Sequence, residues 1–248
     1  ERLLDLAARE LGMDRAEIRR RNFIQPHEFP YDVGLIYQDN APLVYDSGNY
    51  PAALERALEE VGYSRWPEEK ARYRTQGRRV GLGFACYVEG SGIGPYEGCR
   101  LTVEPSGKVY VATGVGTQGQ GHATSLAQVV AEALGVDVRD VHVVTGDTGA
   151  FGWGTGTFAS RAAVVAGSAV HLAAQAVRQK ALQVAASLLE ASPEDLELAD
   201  GRVRVRGAPS RSVSLGEVAR AANPLRGVIP AEWEGPGLEA TRYFAPPR

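Results

Sequence analysis

With 248 residues, 44% of them hydrophobic and 23% charged, the chain can bury a sizeable core as one large domain or two modest ones. A net charge of -3 without a basic cluster gives no handle for nucleic acid. No run of about 20 apolar residues exists, so no membrane span is expected; the opening reads as an amphipathic helix and not a signal peptide, and the location expected is cytoplasmic.

The chain opens on Leu3, Leu4, Leu6, Ala7 and Leu11 at helical spacing, without an initiator methionine, and is expected to be part of a longer protein. Gly12 ends that helix, and Asp14 caps a second over Arg15–Asn22. The Arg19-Arg20-Arg21 run beside acidic residues reads as a solvated helix end. Residues 23–50, rich in Pro, Gly, Asp and Asn, read as an irregular connector. Asn49 and Pro51 then start a helix running to Val61, and the charged Ser64–Arg79 reads as a polar helix and loop.

From Val80 the pattern turns to β. A long strand is expected over Val80–Glu89, a turn over Gly90–Gly94 and a strand over Cys99–Val103. Pro105-Ser-Gly107 is a hairpin turn, with Val109–Thr113 returning antiparallel. Leu126, Val129, Val130, Ala133 and Leu134 mark a helix closed by Gly135, before a strand over Val141–Thr145. A long apolar helix is expected over Ser160–Leu189, then a short capped turn at Ser192–Asp195. Leu196–Leu198 and Val203–Val205 form a hairpin across Asp200-Gly201, and Ser214 to Glu217 is a capping box opening a last short helix. The tail after Asn223, with Pro224, Pro230, Pro236, Pro246 and Pro247, is expected to be largely extended.

The fold class expected is therefore α+β. A β-hairpin, glycine turn, α, β, glycine turn, α unit carries a small C-terminal hairpin and helix. The divisions expected are 1–75 as a helical and irregular lead-in, 76–190 as the core, and 191–248 as a second, truncated part. Cys86 and Cys99, lacking close spacing, make neither a zinc nor an iron–sulfur site and are expected to be reduced.

Two glycine-rich turns carry the chemistry. The first is Gly114-Val-Gly-Thr-Gln-Gly-Gln-Gly-His122; the second runs from Gly146 to Arg161. Each follows a β-branched run and leads into a helix, whose start offers unpaired N–H groups. Gly114, Gly116 and Gly119 fit the dinucleotide fingerprint G-x-G-x-x-G, so a nicotinamide-binding domain is one reading. No Lys-Ser/Thr pair follows, so the turn is not a P-loop. Gln118 and Gln120 can donate and accept at once, which suits a pterin with a phosphate tail; Thr155, Thr157 and Ser160 repeat that chemistry with hydroxyls. The plainer alternative is that the glycines only let helix and strand pack closely. Two turns, both loaded with Gln, Thr and Ser, favour a ligand.

Thr117-Gln-Gly-Gln-Gly-His122, Gly146-Asp-Thr148 and Gly154-Thr-Gly-Thr-Phe-Ala-Ser-Arg161 resemble the molybdopterin-binding region of molybdenum hydroxylase large subunits. That is the xanthine dehydrogenase and aldehyde oxidase superfamily, and the wording is closest to its carbon monoxide dehydrogenase-type members. Tyr45-Asp-Ser-Gly-Asn-Tyr50 and Gly94-Pro-Tyr-Glu-Gly98 extend the resemblance across the chain.

The resemblance implies a molybdenum ion held by a pterin dithiolene, with a cytosine dinucleotide as the expected form. Gln120 would place its amide beside the metal's oxygen ligand without coordinating the metal. Gln118, Gly119, Gly121, His122 and Thr124 would hold the pterin and phosphate region. Thr157, Ala159, Ser160 and Arg161 would form the opposite wall. Glu89 and Glu97, read as surface-leaning, are given no catalytic part.

The family's glutamate base has no counterpart motif here, so no catalytic residue is assigned and the chain is expected to be inactive alone. The expected partners are the remainder of the large subunit, iron–sulfur and FAD subunits in a dimer of heterotrimers, and a small-molecule substrate. That substrate would be an aldehyde, an N-heterocycle or carbon monoxide. A non-enzymatic interaction module is the remaining alternative.

Overall fold

A computed structural model describes residues 1–37, 40–226 and 236–246. The chain divides into two compact units, Glu1–Val88 and Glu89–Arg248.

In the first unit, α1 (Arg2–Glu10) is followed by α2 (Arg15–Asn22), whose cap is Asp14. The Asp14 carboxylate accepts from Ala16 N–H at 2.8 Å and Glu17 N–H at 3.1 Å, satisfying donors the helix leaves unpaired. The arginine run is not wholly solvated. Arg19 is buried, pairs with Glu1 and with Asp5 at 3.0 Å, and lies over the Phe84 ring; Arg20 and Arg21 hold Glu17 at the surface.

The connector also contains an antiparallel hairpin, β1 (Tyr31–Ile36) with β2 (Pro42–Tyr45). Its strands are mostly exposed, so they lack the apolar alternation that marks a half-buried strand. Helix α3 (Tyr50–Val61) has Asn49 accepting from Ala52 N–H at 3.1 Å and ends at a left-handed Gly62; α4 covers Trp66–Thr75.

Val80–Glu89 is not a strand. Over Val80–Val88 the backbone partners among the described residues are side chains: Arg15 donates to Leu82 O at 3.0 Å, and Cys86 N–H donates to Glu1 Oε1 at 3.1 Å. A β-type composition does not make a strand without a neighbouring backbone to pair with.

The second unit is built on a four-stranded sheet in the order β5-β4-β3-β9, formed by β3 (Glu97–Val103), β4 (Val109–Thr113), β5 (Val141–Thr145) and β9 (Glu239–Phe244). β3 pairs antiparallel with β4 and β9, while β4 and β5 run parallel across helix α5 (His122–Leu134). Gly135 closes α5 in the left-handed conformation, and a Cβ there would meet Ala199 Cα at 2.9 Å.

The long helix begins with a π turn over Ala162–Ala166 and continues as α6 (Gly167–Leu189). α6 packs on α5, β3 and β9, burying Ala169, Val170, Ala173, Ala174, Val177 and Ala181 against Leu101, Val111, Val130 and Leu134. The alanines let the helix lie close to the sheet. Each large aliphatic side chain buried there contributes about 1.5–3 kcal/mol.

A second sheet joins β6 (Leu196–Ala199), β7 (Arg202–Val205) and β8 (Ala208–Ser214), one strand more than the expected hairpin, and leads into α7 (Leu215–Ala221) with its Ser214–Glu217 capping box. In the tail, Pro224 opens a 3-10 turn and Glu239–Phe244 is the sheet strand β9; Pro230 and Pro247 lie outside the described residues. The architecture is α+β. Among the described residues no helix is long and apolar enough to cross a membrane, and no cluster of three or more His, Cys, Asp or Glu could hold a metal ion.

Candidate functional site

The parallel pairing of β4 and β5 sets the site. Thr113 sits opposite Thr145 in register, so both strands end at one level and both glycine turns leave from the same sheet end. Gly146 N–H donates to Thr113 O at 3.1 Å, holding the two strand ends together.

The turns then cross, backbone against backbone. A Cβ on Gly114 would lie 1.9 Å from Trp153 O, and one on Gly154 would lie 2.3 Å from Gly114 O. Only glycine fits both positions. Thr157 adds a hydroxyl bond to Gly116 O at 2.6 Å. For this pair the glycines do serve close packing, of turn against turn rather than of helix against strand.

Close packing does not explain the others. At Gly116, Gly119, Gly121 and Gly156 a Cβ would meet nothing within 4 Å, and the last three adopt φ of +106°, +81° and +110°. Gly119, Gly121 and Gly156 take backbone that side chains rarely adopt, and all four positions face open space.

In the first turn Gln118, Gly119, Gln120 and Gly121 are exposed, as is Thr124 just inside α5. The two glutamines hold each other. Gln118 N–H donates to Gln120 Oε1, and Gln120 Nε2 reaches Gln118 Oε1 at 3.4 Å. Gln120 also lines a cavity of about 220 Å³ with Val115, His122, Ser125, Leu126, Ala162 and Ala163, next to the π turn. His122 is buried at the first position of α5, and its Nδ1 has no partner among the described residues. A buried polar atom without a partner is costly.

In the second turn Thr157 is half-buried, and Ala159 and Ser160 occupy the left-handed region at φ of 46° and 48°. Two consecutive non-glycine residues there require support from their surroundings. Thr155 Oγ1 is a further buried atom without a partner among the described residues. Ser160 Oγ lies 3.5 Å from the exposed Glu89.

Arg161 stands apart from the other expected site residues. Its side chain is wholly buried, donating to Ile93 O at 3.0 Å, Gly156 O at 2.9 Å, Pro95 O and the Glu97 carboxylate.

Glu97 is likewise fully buried, which corrects its reading as surface-leaning. β3 begins two residues earlier than expected, so Glu97 continues the inward face of Cys99, Leu101 and Val103. That period-2 pattern was present in the sequence. The Gly114–Gly154 crossing left no such signal.

The family model for the molybdopterin cofactor-binding domain matches residues 56–248, and the chain belongs to that family. It is 36% identical over 263 residues to the carbon monoxide dehydrogenase large chain of Hydrogenophaga pseudoflava, covering 100% of this chain and 31% of that protein. It is 39% identical over 244 residues to subunit gamma of the 6-hydroxypseudooxynicotine dehydrogenase complex of Paenarthrobacter nicotinovorans, covering 98% and 30%. Among solved structures, quinoline 2-oxidoreductase from Pseudomonas putida 86 superposes with a TM-score of 0.71 at 34% identity, covering 98% of this chain and 32% of that one. The chain thus spans about 30% of the length of the curated relatives it matches. Family membership bears out the molybdopterin resemblance and sets the nicotinamide reading aside.

Proposed function

We propose that the chain is the molybdopterin-holding part of the large subunit of a molybdenum-dependent oxidoreductase, with residues 76–190 as its core and the two glycine turns as the site's walls. The observation that carries this reading is the crossing at Gly114 and Gly154, which joins two ligand-shaped turns into one surface.

The residues present fit the cofactor. A pterin displays alternating ring donors and acceptors, and Gln118 and Gln120 offer amides of both kinds from one exposed loop. The open space above Gly116, Gly119, Gly121 and Gly156 admits a ligand against the backbone. The N–H groups at the start of α5, with Thr124 beside them, suit a phosphate. His122 Nδ1 and Thr155 Oγ1 are buried polar atoms still to be paired.

Gln118, Gly119, Gln120, Gly121, His122 and Thr124 form one wall; Thr157, Ala159 and Ser160 form the other. Arg161 acts from behind, since its guanidinium is engaged within the protein. Gln120 would orient the cofactor's reactive end through its amide.

When bound, the cofactor supplies redox chemistry at its metal, and this chain's residues bind and orient it. The form favoured is the cytosine dinucleotide. The parent complex would act on an aldehyde, an N-heterocycle or carbon monoxide, with the catalytic glutamate on another part of the large subunit. Iron–sulfur and FAD subunits would carry electrons away, in a dimer of heterotrimers located in the cytoplasm. The similarity to a carbon monoxide dehydrogenase large chain and to a nicotine 6-hydroxylase large subunit supports carbon monoxide and N-heterocycles within that range.

Thermal shift of the purified protein tests the reading. A molybdopterin dinucleotide should raise Tm and NAD should not, because only a ligand that binds the folded state stabilises it. Stabilisation by NAD alone would refute the proposal.

A further inference from the structure

The second glycine turn is held from beneath by one carboxylate. Glu97, the first residue of β3, accepts Thr155 N–H at 2.9 Å and the Arg161 guanidinium through the same oxygen, Oε1. Arg161 spreads its remaining donors over Ile93 O at 3.0 Å, Gly156 O at 2.9 Å and Pro95 O, and lies 5.3 Å from the centroid of the Phe158 ring. Both side chains are fully buried. The pair therefore ties the strand end, the 93–95 segment and both ends of the 155–161 loop. Between those ties, Ala159 and Ser160 keep left-handed backbone, a conformation that persists only where the surroundings over-determine it.

We propose that Glu97 is a positioning residue: acting through Arg161 and the Thr155 amide, it fixes the conformation in which the second turn meets the ligand. A surface salt bridge could not do this. A buried guanidinium that has lost its carboxylate must find new partners, and the three carbonyls it now orders would move with it. The planar fork of arginine matters as much as its charge, since a lysine ammonium cannot hold the same carbonyls in the same plane. The identity of the ligand rests on the molybdopterin reading; the fixing of the loop does not.

The test uses the full-length subunit that carries this chain, with Glu97→Gln, Arg161→Lys and the core control Val177→Ala. Two quantities are read: molybdenum per subunit, and amide hydrogen exchange over residues 155–161. Glu97→Gln keeps the shape and leaves the Thr155 amide and the guanidinium an oxygen to donate to, so it removes the charge alone. It should nevertheless accelerate exchange across 155–161 and cut molybdenum loading about tenfold or more, the usual effect of removing a group that supports metal-site residues. Arg161→Lys should do the same. Val177→Ala should lower Tm while leaving loop exchange and loading at wild-type levels.

Unchanged exchange in Glu97→Gln overturns the proposal, as does wild-type loading. Full loading in Arg161→Lys shows that charge alone suffices and removes the positioning role. Equal loss in the Val177→Ala control means that stability alone explains the effect, and overturns it as well. If the wild-type subunit carries no molybdenum, the molybdopterin reading fails instead, and the exchange result alone decides the role of Glu97.

Discussion

Glu97 and Cys99 stand two residues apart on the inward face of β3, one holding a buried charge and the other a buried thiol. Burial pushes the Cys99 thiol from an ordinary 9.0 up to about 12. The folded chain then keeps a proton that the unfolded chain releases. The contribution of Cys99 to stability is full below pH 9.0 and falls as pH rises toward 12. At pH 8 a thiol reagent should modify the half-exposed Cys86 in the native protein and reach Cys99 only after denaturation. Two reactive thiols in the native state would contradict the burial of β3. Both cysteines are free, as their spacing suggested. What the sequence concealed was the place of Glu97: an acidic residue at a strand end counts as exposed until its partner is known, and that partner lies 64 positions away.

The helices and the central strands were legible because their signals are local. Asp14, Asn49 and Ser214 each cap the helix expected of them, and Gly135 closes α5. The misread elements all concern strand pairing. β1 and β2 hid in a polar connector, β9 in a proline-rich tail, and Val80–Glu89 has strand composition without a partner strand. Period-2 patterning reports which face is buried, not which backbone lies alongside.

The same division runs through the glycine turns. Gly114 carries a contact penalty and Gly119 a conformational one. Gly114→Ala drives a methyl into the Trp153 carbonyl and should cost about 3 kcal/mol or more. Gly119→Ala has room but needs φ of +106°, so it should cost about 1–3 kcal/mol and weaken ligand binding. Chemical denaturation of both variants checks the order; a smaller loss at Gly114 than at Gly119 would mean that the two turns do not cross as described.

At the scale of the molecule, one sheet end brings the two glycine turns together, the arrangement the proposed cofactor site requires. The order β5-β4-β3-β9 makes this possible, because β4 and β5 are parallel neighbours whose ends share a level. The candidate site was readable in the sequence as two similar motifs. That they face one site was expected; the backbone crossing that joins them was not, since it depends on the register of strands 32 residues apart, with Val109 opposite Val141. The central claim is that this convergence forms a molybdopterin site in which Gln120 lies at the reactive end. The direct measurement is molybdenum per subunit in the full-length protein, comparing wild type with Gln120→Ala at matched Tm. The account predicts a loaded wild type and a loss of about tenfold or more in the variant. Equal loading in the two, with unchanged activity, would contradict it.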